Sequence, residues 1–597
     1  MPNYKAPLRD IHFVLNDLLN AESHYASLQG CEAVTPDLLE AIVNEGAKFA
    51  ENVVDPLAAA GDEIGCKFEN GKVTTPPGFK EAYKQWAEAG WMGLSTAPEF
   101  GGQGLPGSLS TVVTEMIGSP SWGFSMYGGL AMAPVTCLVN GGTPEQQQRY
   151  IPKILNGEWA GTMCLTEAHC GSDVGLLKTK AIRNEDGSYT LQGTKIFISG
   201  GEQDLTENIV HAILARVEGS PEGTSGVSLF IAPKFLVNDD GSLGEFNNIH
   251  CGSIEKKMGL KGSATCVMNY DGCRAELLGE ENKGLEVMFK LMNTARLGTA
   301  LQGLAMGEIS RQGAVTYARE RLQMRSITGP KNPDGPADPI IVHPDVRRML
   351  MTQKALVEGQ RALIYWGAML VDQTSWGSEE EKQQADELLE ILTPIAKGFC
   401  TETAQEVTYL GIQVFGGHGY IAEHGMERIA RDNRISTVYE GTTGIQALDL
   451  IGRKVMGSGG KLLAKMTKVI HKHCESLLED EVLGSHAKEL QRLNTGWGEL
   501  TAKVGEATMQ DADELGAASV DYLMYGGYIL LGYMWLRMAE VSQLKIAAGS
   551  DDPIYDAKLK TATFYFDRIL PRTEAHRAAA QAGGASTMAL DEEQFCY

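Results

Sequence analysis

The sequence predicts an α+β protein whose chain runs through a helical region, a β region and two further helical regions. Apolar residues recur at helical spacing before about residue 155 and again after about residue 280. Between these limits, short runs of β-forming residues alternate with Gly, Asn and Asp. A glycine-rich linker then precedes the last helical stretch. We therefore predict four domains: residues 1–155, 156–280, 281–455 and 456–597.

The first domain is predicted to be helical throughout. Phe79, Tyr83 and Trp86 fall on one face of a helix, which is the spacing of a buried stripe. Gly90 follows this stripe and is typical of a helix C-terminus, since glycine adopts the left-handed conformation found there.

The second domain is predicted to be a small sheet or barrel. Two strand-like runs, residues 181–183 and 188–191, flank an Asn-Glu-Asp-Gly segment, which is a hairpin signal. Residues 195–199, 209–217 and 227–231 have the composition of further strands. Short strands joined by turn residues are typical of a closed or nearly closed sheet.

The third and fourth domains are predicted to be helical bundles. Leu356, Leu363, Trp366 and Leu370 form one apolar stripe in the third domain. In the fourth, the longest apolar run covers residues 522–536 and is shorter than the roughly 20 residues that a membrane span needs. We therefore expect a buried helix there and no integral membrane span.

Composition excludes some function classes. The formal net charge of −24 argues against binding to nucleic acid, which requires a basic face. Eleven cysteines at irregular spacing, without a C-x-x-C pair, favour free thiols in a reducing compartment. The first residues contain no apolar signal segment, so we expect a cytoplasmic protein. No set of side chains predicts a metal site.

The segment of residues 413–446 contains the candidate catalytic group. It includes a glycine-rich turn and then places Glu440 between Tyr439 and Gly441. An apolar neighbour can raise the pKa of a carboxyl group by desolvation, as a general base working near neutral pH requires. Glycine beside it lets the backbone approach a ligand closely. On local chemistry alone, a solvated surface glutamate is the alternative.

This segment is similar to the acyl-CoA dehydrogenase family, in which Q-x-x-G-G followed by Y-E-G-T ends on the catalytic base. The similarity extends over about residues 35–455. Residues 165–174 resemble the family's T-E-P-x-x-G-S-D motif, with Ala-His where Pro-Gly is common. Residues 195–199 resemble its flavin-facing strand, and residues 317–321 its Y-A-x-E-R pattern. The long chain resembles a bacterial branch with an additional C-terminal helical domain.

The resemblance implies FAD as the cofactor and assigns site residues by position. Some would contact the flavin, and others would bind the cofactor pyrophosphate of a neighbouring subunit, which makes a homodimer with shared sites the expected assembly. The implied cofactor-binding residues are Met163, Leu165, Thr166, Ser172, Phe197, Ser199, Arg321, Gln413, Gly416, Gly417 and Thr442. The implied substrate-binding residues are Ser172, Arg296, Glu440 and Gly441.

The resemblance also indicates which residue is the base. Two lineages of the family carry the base on a helix, just before an arginine that corresponds to Arg296. The residue at that position is Ala295, which cannot accept a proton. We therefore expect Glu440 to be the catalytic base.

The implied reaction is the dehydrogenation of an acyl-CoA to a trans-2-enoyl-CoA. Glu440 would take the α-proton, FAD would take the β-hydride, and electrons would pass to an electron transfer flavoprotein. Medium- to long-chain fatty acyl-CoA is the leading substrate. The alternatives are a 3-methylmercaptopropionyl-CoA dehydrogenase of dimethylsulfoniopropionate breakdown, an acyl-CoA oxidase that uses oxygen, and a flavin-free scaffold protein.

Overall fold

The computed structural model describes residues 2–597, except for the side chains of residues 289–293. The chain forms two compact units. We call residues 41–295 the barrel unit, and the segment up to residue 40 together with residues 296–597 the helical unit. The first 40 residues, which the sequence assigns to the N-terminal helical domain, thus pack with the C-terminal half of the chain.

The α-helices are joined or extended by short 3₁₀- and π-helical turns. They are α1 (Leu8–His12), α2 (Ala21–Ser27), α3 (Pro36–Phe49), α4 (Ala58–Glu63), α5 (Phe79–Glu88), α6 (Gly107–Gly118), α7 (Trp122–Gly141), α8 (Pro144–Leu155), α9 (Gly284–Glu320), α10 (Pro344–Trp376), α11 (Glu379–Phe415), α12 (Met426–Arg434), α13 (Thr443–Leu448), α14 (Lys461–Leu477), α15 (Gly484–Gln510), α16 (Asp513–Ala547), α17 (Pro553–Phe564) and α18 (Arg572–Ala580).

The β-strands all belong to the barrel unit. They are β1 (Lys67–Glu69), β2 (Lys72–Thr74), β3 (Trp159–Cys164), β4 (Lys180–Arg183), β5 (Tyr189–Ser199), β6 (Asn208–Val217), β7 (Val227–Pro233), β8 (Phe235–Val237), β9 (Leu243–Phe246), β10 (Ile249–Ile254) and β11 (Thr265–Leu278).

Five of these strands close into a ring, in which β11 pairs with β5, β5 with β4, β4 with β6, β6 with β7, and β7 with β11. β3 extends the sheet from β6 and β10 extends it from β11. Buried side chains such as Leu191, Ile213, Phe230 and Cys266 fill the interior. Closure gives each of the five ring strands a partner on both sides, while among the described strands β3 and β10 each have a partner on one side only. The predicted sheet or barrel domain is confirmed.

The sequence prediction is wrong at two details of the barrel unit. The first domain is not helical throughout, because β1 and β2 form a hairpin. Asn70 and Gly71 between them have φ values of 52° and 78°, as a tight hairpin turn requires. In addition, residues 195–199 are not a separate strand. They are the second half of β5, which continues through Gly193.

The predicted buried helix in the last domain is confirmed, since residues 522–536 lie in α16 and most of them are fully buried. Within residues 2–597, α7 is the one helix long and apolar enough to cross a bilayer. Two-thirds of its apolar window (67%) is buried inside the protein, as in the core helix of a soluble domain. All eleven cysteines are free, and Cys596 alone among them is exposed.

A buried ionic network joins the two ends of the chain within the helical unit. Lys558 of α17 pairs with Asp10 of α1 and, at 2.7 Å, with Glu358 of α10. Arg361 of α10 pairs with Asp10 and, at 2.9 Å, with Glu308 of α9. Buried charges are stable only when paired, so this network requires all four helices to pack together.

Candidate active site

In the barrel unit, one backbone hydrogen bond joins the two predicted flavin motifs. The chain leaves β3 at Cys164, and the N–H of Ile196 on β5 donates to the carbonyl of Thr166 at 2.9 Å. Thr166 therefore lies beside the segment that carries Phe197 and Ser199. Met163 is half-buried whereas Cys164 is buried, because successive strand residues face opposite sides, and Leu165 and Thr166, just after the strand, are half-buried as well.

Phe197 has an unusual conformation for a large aromatic residue. Its φ is 59°, and the register between β5 and β11 shifts next to it, which places Phe197 at a β-bulge. Such a conformation costs about 1–3 kcal/mol in a residue other than glycine. The ring is nevertheless 58% exposed. A strained residue that presents a flat apolar ring to solvent fits a site for a planar heterocycle.

A buried ion pair between Lys195 and Glu167 joins the same two segments, and neither residue was predicted to have a role. The ammonium of Lys195 is buried, and it donates to Glu167 at 2.8 Å and to the carbonyl of Leu165 at 2.9 Å. Glu167 also accepts three hydrogen bonds from Lys178 and Thr179. Burial opposes ionisation of Glu167, but Lys195 and the hydrogen bonds lower its pKa to about 2. The pair fixes the loop after β3 onto β5.

Glu167, His169 and Cys170 lie close enough together to suggest a metal site. Both oxygens of Glu167 already accept hydrogen bonds from the protein, however, so its carboxylate is not a free ligand. His169 is exposed and contacts the carbonyl of Leu176 at 2.9 Å. Ser172 lies in the same exposed loop. This arrangement gives no support to a metal ion.

In the helical unit, Glu440 follows α12 in a turn with two left-handed residues. The φ values of Glu440 and Gly441 are 55° and 91°. Gln446 donates to the carbonyl of Glu440 at 3.1 Å, and Thr442 caps α13 by accepting from the N–H of Ile445. Within the described residues, the carboxylate and the N–H of Glu440 make no hydrogen bond. Both groups are therefore available to a ligand.

The carboxyl group of Glu440 is accessible to solvent and yet partly desolvated. Desolvation by the surrounding protein raises its pKa, while the nearby charges of Lys397 and Arg296 lower it. The net result is a raised pKa, as expected for a general base. Arg296 is held by Asp449 at 2.8 Å, so its position is fixed by the protein itself.

Lys397 was missed in the sequence analysis. It is fully buried on α11 and donates to the carbonyl of Gly441 at 2.6 Å. The signal was available, because Lys397 is the only charged residue in the otherwise apolar or neutral run of residues 391–400. A lone charge in such a run is expected to have a specific partner.

The C-terminal end of α9 adjoins the glycine-rich turn of the helical unit. Tyr317 stacks on Phe415 with ring centroids 4.1 Å apart, and its hydroxyl contacts His418 at 2.8 Å. These contacts bring the end of α9, which precedes Arg321, near the segment that contains Gln413, Gly416 and Gly417.

Arg321 and its neighbour Arg325 differ in their contacts. Arg325 pairs with the buried Asp338 at 3.2 Å and orders the loop before α10. Arg321 is exposed and has no ion pair among the side chains that the structure describes. Gln413, Gly416 and Gly417 are exposed as well, and a Cβ at Gly417 would contact nothing else in the chain. An exposed guanidinium at the end of a helix that packs on a glycine-rich turn fits the phosphate region of a cofactor.

Comparisons with known proteins identify the family. Models of the acyl-CoA dehydrogenase N-terminal, middle and C-terminal domains match residues 36–158, 162–273 and 282–456, and an acetyl-CoA dehydrogenase C-terminal-like model matches residues 462–591. A 3-methylmercaptopropionyl-CoA dehydrogenase of Ruegeria pomeroyi is 38% identical over 98% of this chain and 99% of its own. The chain belongs to the acyl-CoA dehydrogenase family.

Two further similarities extend over nearly the whole chain. A broad-specificity linear acyl-CoA dehydrogenase of Mycobacterium tuberculosis is 32% identical and covers 100% of both chains. The FAD complex of an acyl-CoA dehydrogenase from Bacillus anthracis aligns with a TM-score of 0.74 at 21% identity, over 93% of this chain and 90% of that one. The predicted fold, enzyme class and cofactor, those of an FAD-dependent acyl-CoA dehydrogenase, are thereby confirmed.

Proposed function

We propose that this acyl-CoA dehydrogenase acts on short acyl-CoA thioesters, that 3-methylmercaptopropionyl-CoA is its preferred substrate and that Glu440 is the catalytic base. The observation that carries the assignment of the base is the state of Glu440, whose carboxylate is partly desolvated and has no hydrogen bond within the described residues. The substrate is supported by the relative from Ruegeria pomeroyi, which matches this chain end to end.

The proposed chemistry assigns two tasks to the turn around Glu440. Its carboxylate removes the α-proton of the thioester, and its backbone N–H donates to the thioester oxygen, where negative charge develops. Donors of this kind contribute about 3–4 kcal/mol each to stabilisation of the transition state. Bound FAD supplies the acceptor for the β-hydride. Met163, Leu165, Thr166, Phe197 and Ser199 would hold its ring system.

The remaining contacts are proposed on the same basis. Arg321, Gln413, Gly416 and Gly417 would bind the pyrophosphate of the cofactor in a second copy of the chain, so that a homodimer is the working unit. Ser172, Arg296 and Gly441 would help to bind the substrate, and Thr442 the cofactor. We further propose an electron transfer flavoprotein as the acceptor, a cytoplasmic location, and the four domains predicted from the sequence.

A second candidate is a straight-chain acyl-CoA of medium to long length, the leading substrate in the sequence analysis. The relative from Mycobacterium tuberculosis favours it, since that enzyme is a broad-specificity dehydrogenase of linear acyl-CoAs. The two candidates differ in the chain length that the site must accept, and direct measurement separates them.

The test is anaerobic reduction of the bound flavin by a panel of acyl-CoAs. The loss of the flavin's yellow colour measures the reduction. The panel contains straight chains from C4 to C16 and the methylthio compound, with pentanoyl-CoA as the matched control because it replaces the sulfur by a methylene. We expect 3-methylmercaptopropionyl-CoA to reduce the flavin with the highest second-order rate constant, about tenfold above that of pentanoyl-CoA.

Faster reduction by C8–C16 chains would reject the short substrate and support the second candidate. Hydrogen peroxide formed at each turnover in air, without an added electron carrier, would support an oxidase. Purified protein without flavin, even after incubation with FAD, would reject the enzyme assignment.

A further inference from the structure

Lys397 lies where a positive charge is costly. It projects from the middle of α11, and no part of its side chain is exposed. A buried ammonium loses several kcal/mol of hydration, which only close polar or charged partners can offset. Its hydrogen bond runs to the carbonyl of Gly441 rather than to a carboxylate. The ammonium group therefore orients the backbone next to Glu440.

The turn at Glu440 is held by two side chains at consecutive carbonyl groups. Gln446 donates to the carbonyl of Glu440, and Lys397 to that of Gly441. Left-handed conformation at Glu440 is unfavourable for a residue with a side chain, so external contacts must maintain it. A Cβ at Gly441 would lie 2.5 Å from the side-chain nitrogen of Gln446, so the turn packs closely against this side chain.

The charged groups around Lys397 come from three elements. Glu440 belongs to the turn, Glu402 to α11 itself and Arg296 to α9. Arg296 is paired with Asp449, which partly neutralises it. Glu402 accepts a hydrogen bond from Thr443, so the negative charge near Lys397 that is not already engaged belongs to Glu440.

We propose that Lys397 is a positioning residue for the catalytic base: it fixes the Gly441 peptide, which sets the direction of the Glu440 side chain, and its charge keeps that carboxylate ionised between turnovers. The proposal rests on the function proposed above, because it matters only if Glu440 accepts the proton. The role requires no contact between Lys397 and substrate or cofactor, because it acts through the carbonyl of Gly441.

The protonation behaviour of both groups agrees with this role. Desolvation raises the pKa of Glu440, and Lys397 acts against that rise. Desolvation lowers the pKa of Lys397 to about 8, opposed by Glu440 and Glu402. The base is active when deprotonated, so its pKa sets the acid limb of the rate profile. Lys397 loses its charge as the pH rises through about 8, which adds an alkaline limb.

The experiment measures the rate of flavin reduction by acyl-CoA from about pH 5 to pH 10 in the holoenzyme. In Lys397→Met, which replaces the charged side chain by an unbranched apolar one that is a single atom shorter, we expect the acid limb to move up by about one pH unit and the plateau rate to fall about tenfold. In Lys397→Arg, the acid limb stays in place and the alkaline limb near pH 8 disappears, because arginine stays charged.

The matched control is Lys558→Met, which also removes a buried ammonium from the helical unit. It is expected to lower stability without moving either limb. A flavin-loaded Lys397→Met enzyme with wild-type rate and pH profile overturns the proposal. If that variant fails to fold, an unchanged alkaline limb in Lys397→Arg overturns it equally. Wild-type activity of Glu440→Gln would instead overturn the proposed function.

Discussion

The barrel unit and the helical unit each combine a buried lysine with a glutamate, and the two pairs differ in what the lysine contacts. Lys195 binds Glu167 directly, and three further hydrogen bonds saturate that carboxylate. Lys397 binds the carbonyl of Gly441 and leaves the carboxylate of Glu440 free. The pKa of Glu167 is lowered to about 2, whereas that of Glu440 is raised. Residue type alone therefore does not distinguish a structural glutamate from one proposed as a catalytic base.

The strongest test of this contrast is Glu440→Gln. We expect turnover to fall about 10³-fold, since the amide cannot accept the α-proton, while flavin content and unfolding free energy stay close to wild type. Steady-state kinetics and the flavin absorbance of the purified protein measure these quantities. Activity within tenfold of wild type would remove Glu440 from its role.

The complementary substitution, Glu167→Gln, should act on stability. It leaves the buried Lys195 unpaired, at an expected cost of about 3 kcal/mol in unfolding free energy. Because the pKa of Glu167 is lowered by folding, its contribution is present above the unfolded value of about 4.5 and is lost as the pH falls towards 2. Urea unfolding of both proteins should thus give a difference that is full near pH 7 and shrinks below about pH 4. A constant difference would contradict this account.

A smaller effect is expected from substitutions of Arg321 and Arg325, the two arginines after α9. Arg321→Gln should weaken FAD retention about tenfold without changing stability, because the side chain is exposed and without an ion pair in the described structure. Arg325→Gln should destabilise the loop held by Asp338 and leave FAD affinity unchanged. Titration of the apoprotein with FAD, alongside thermal unfolding, distinguishes the two. Equal FAD affinity of the two variants would contradict the assignment of Arg321.

Much of the fold could be predicted from the sequence, because it depends on local periodicity. The helical and β regions, the hairpin between β4 and β5 and the burial of residues 522–536 follow from spacing and turn residues. The hairpin of β1 and β2 was missed although Asn70 and Gly71 mark it, since each strand is only three residues long. Closure of the barrel depends on the long-range pairing of β7 with β11, which no local pattern contains.

Prediction of the candidate site from the sequence was limited in the same way, because long-range contacts are not contained in a local pattern. Glu440 was predicted to be the base because its neighbours in the sequence resemble a family motif, and this assignment stays a prediction. The lone charge of Lys397 in its apolar run indicated that it has a buried partner. The identity of that partner could not be predicted, because Gly441 is 44 residues away and contributes a carbonyl group, which no residue type reveals. The conformation of Phe197 depends on a bulge in the pairing of β5 with β11, and it could not be predicted from its own segment.

The ionic network in the helical unit constrains the order in which the chain can fold during its synthesis. Asp10 and Lys558 are separated by 548 positions, so α1 leaves the ribosome long before its partner on α17 exists. Until then, Asp10 and Glu358 each lack one of their two cationic partners, because Arg361 and Lys354 supply only the other. The N-terminal segment therefore completes its ionic contacts only when synthesis is nearly finished. A shortened gene ending after residue 456 would consequently yield a product that exposes its core and aggregates.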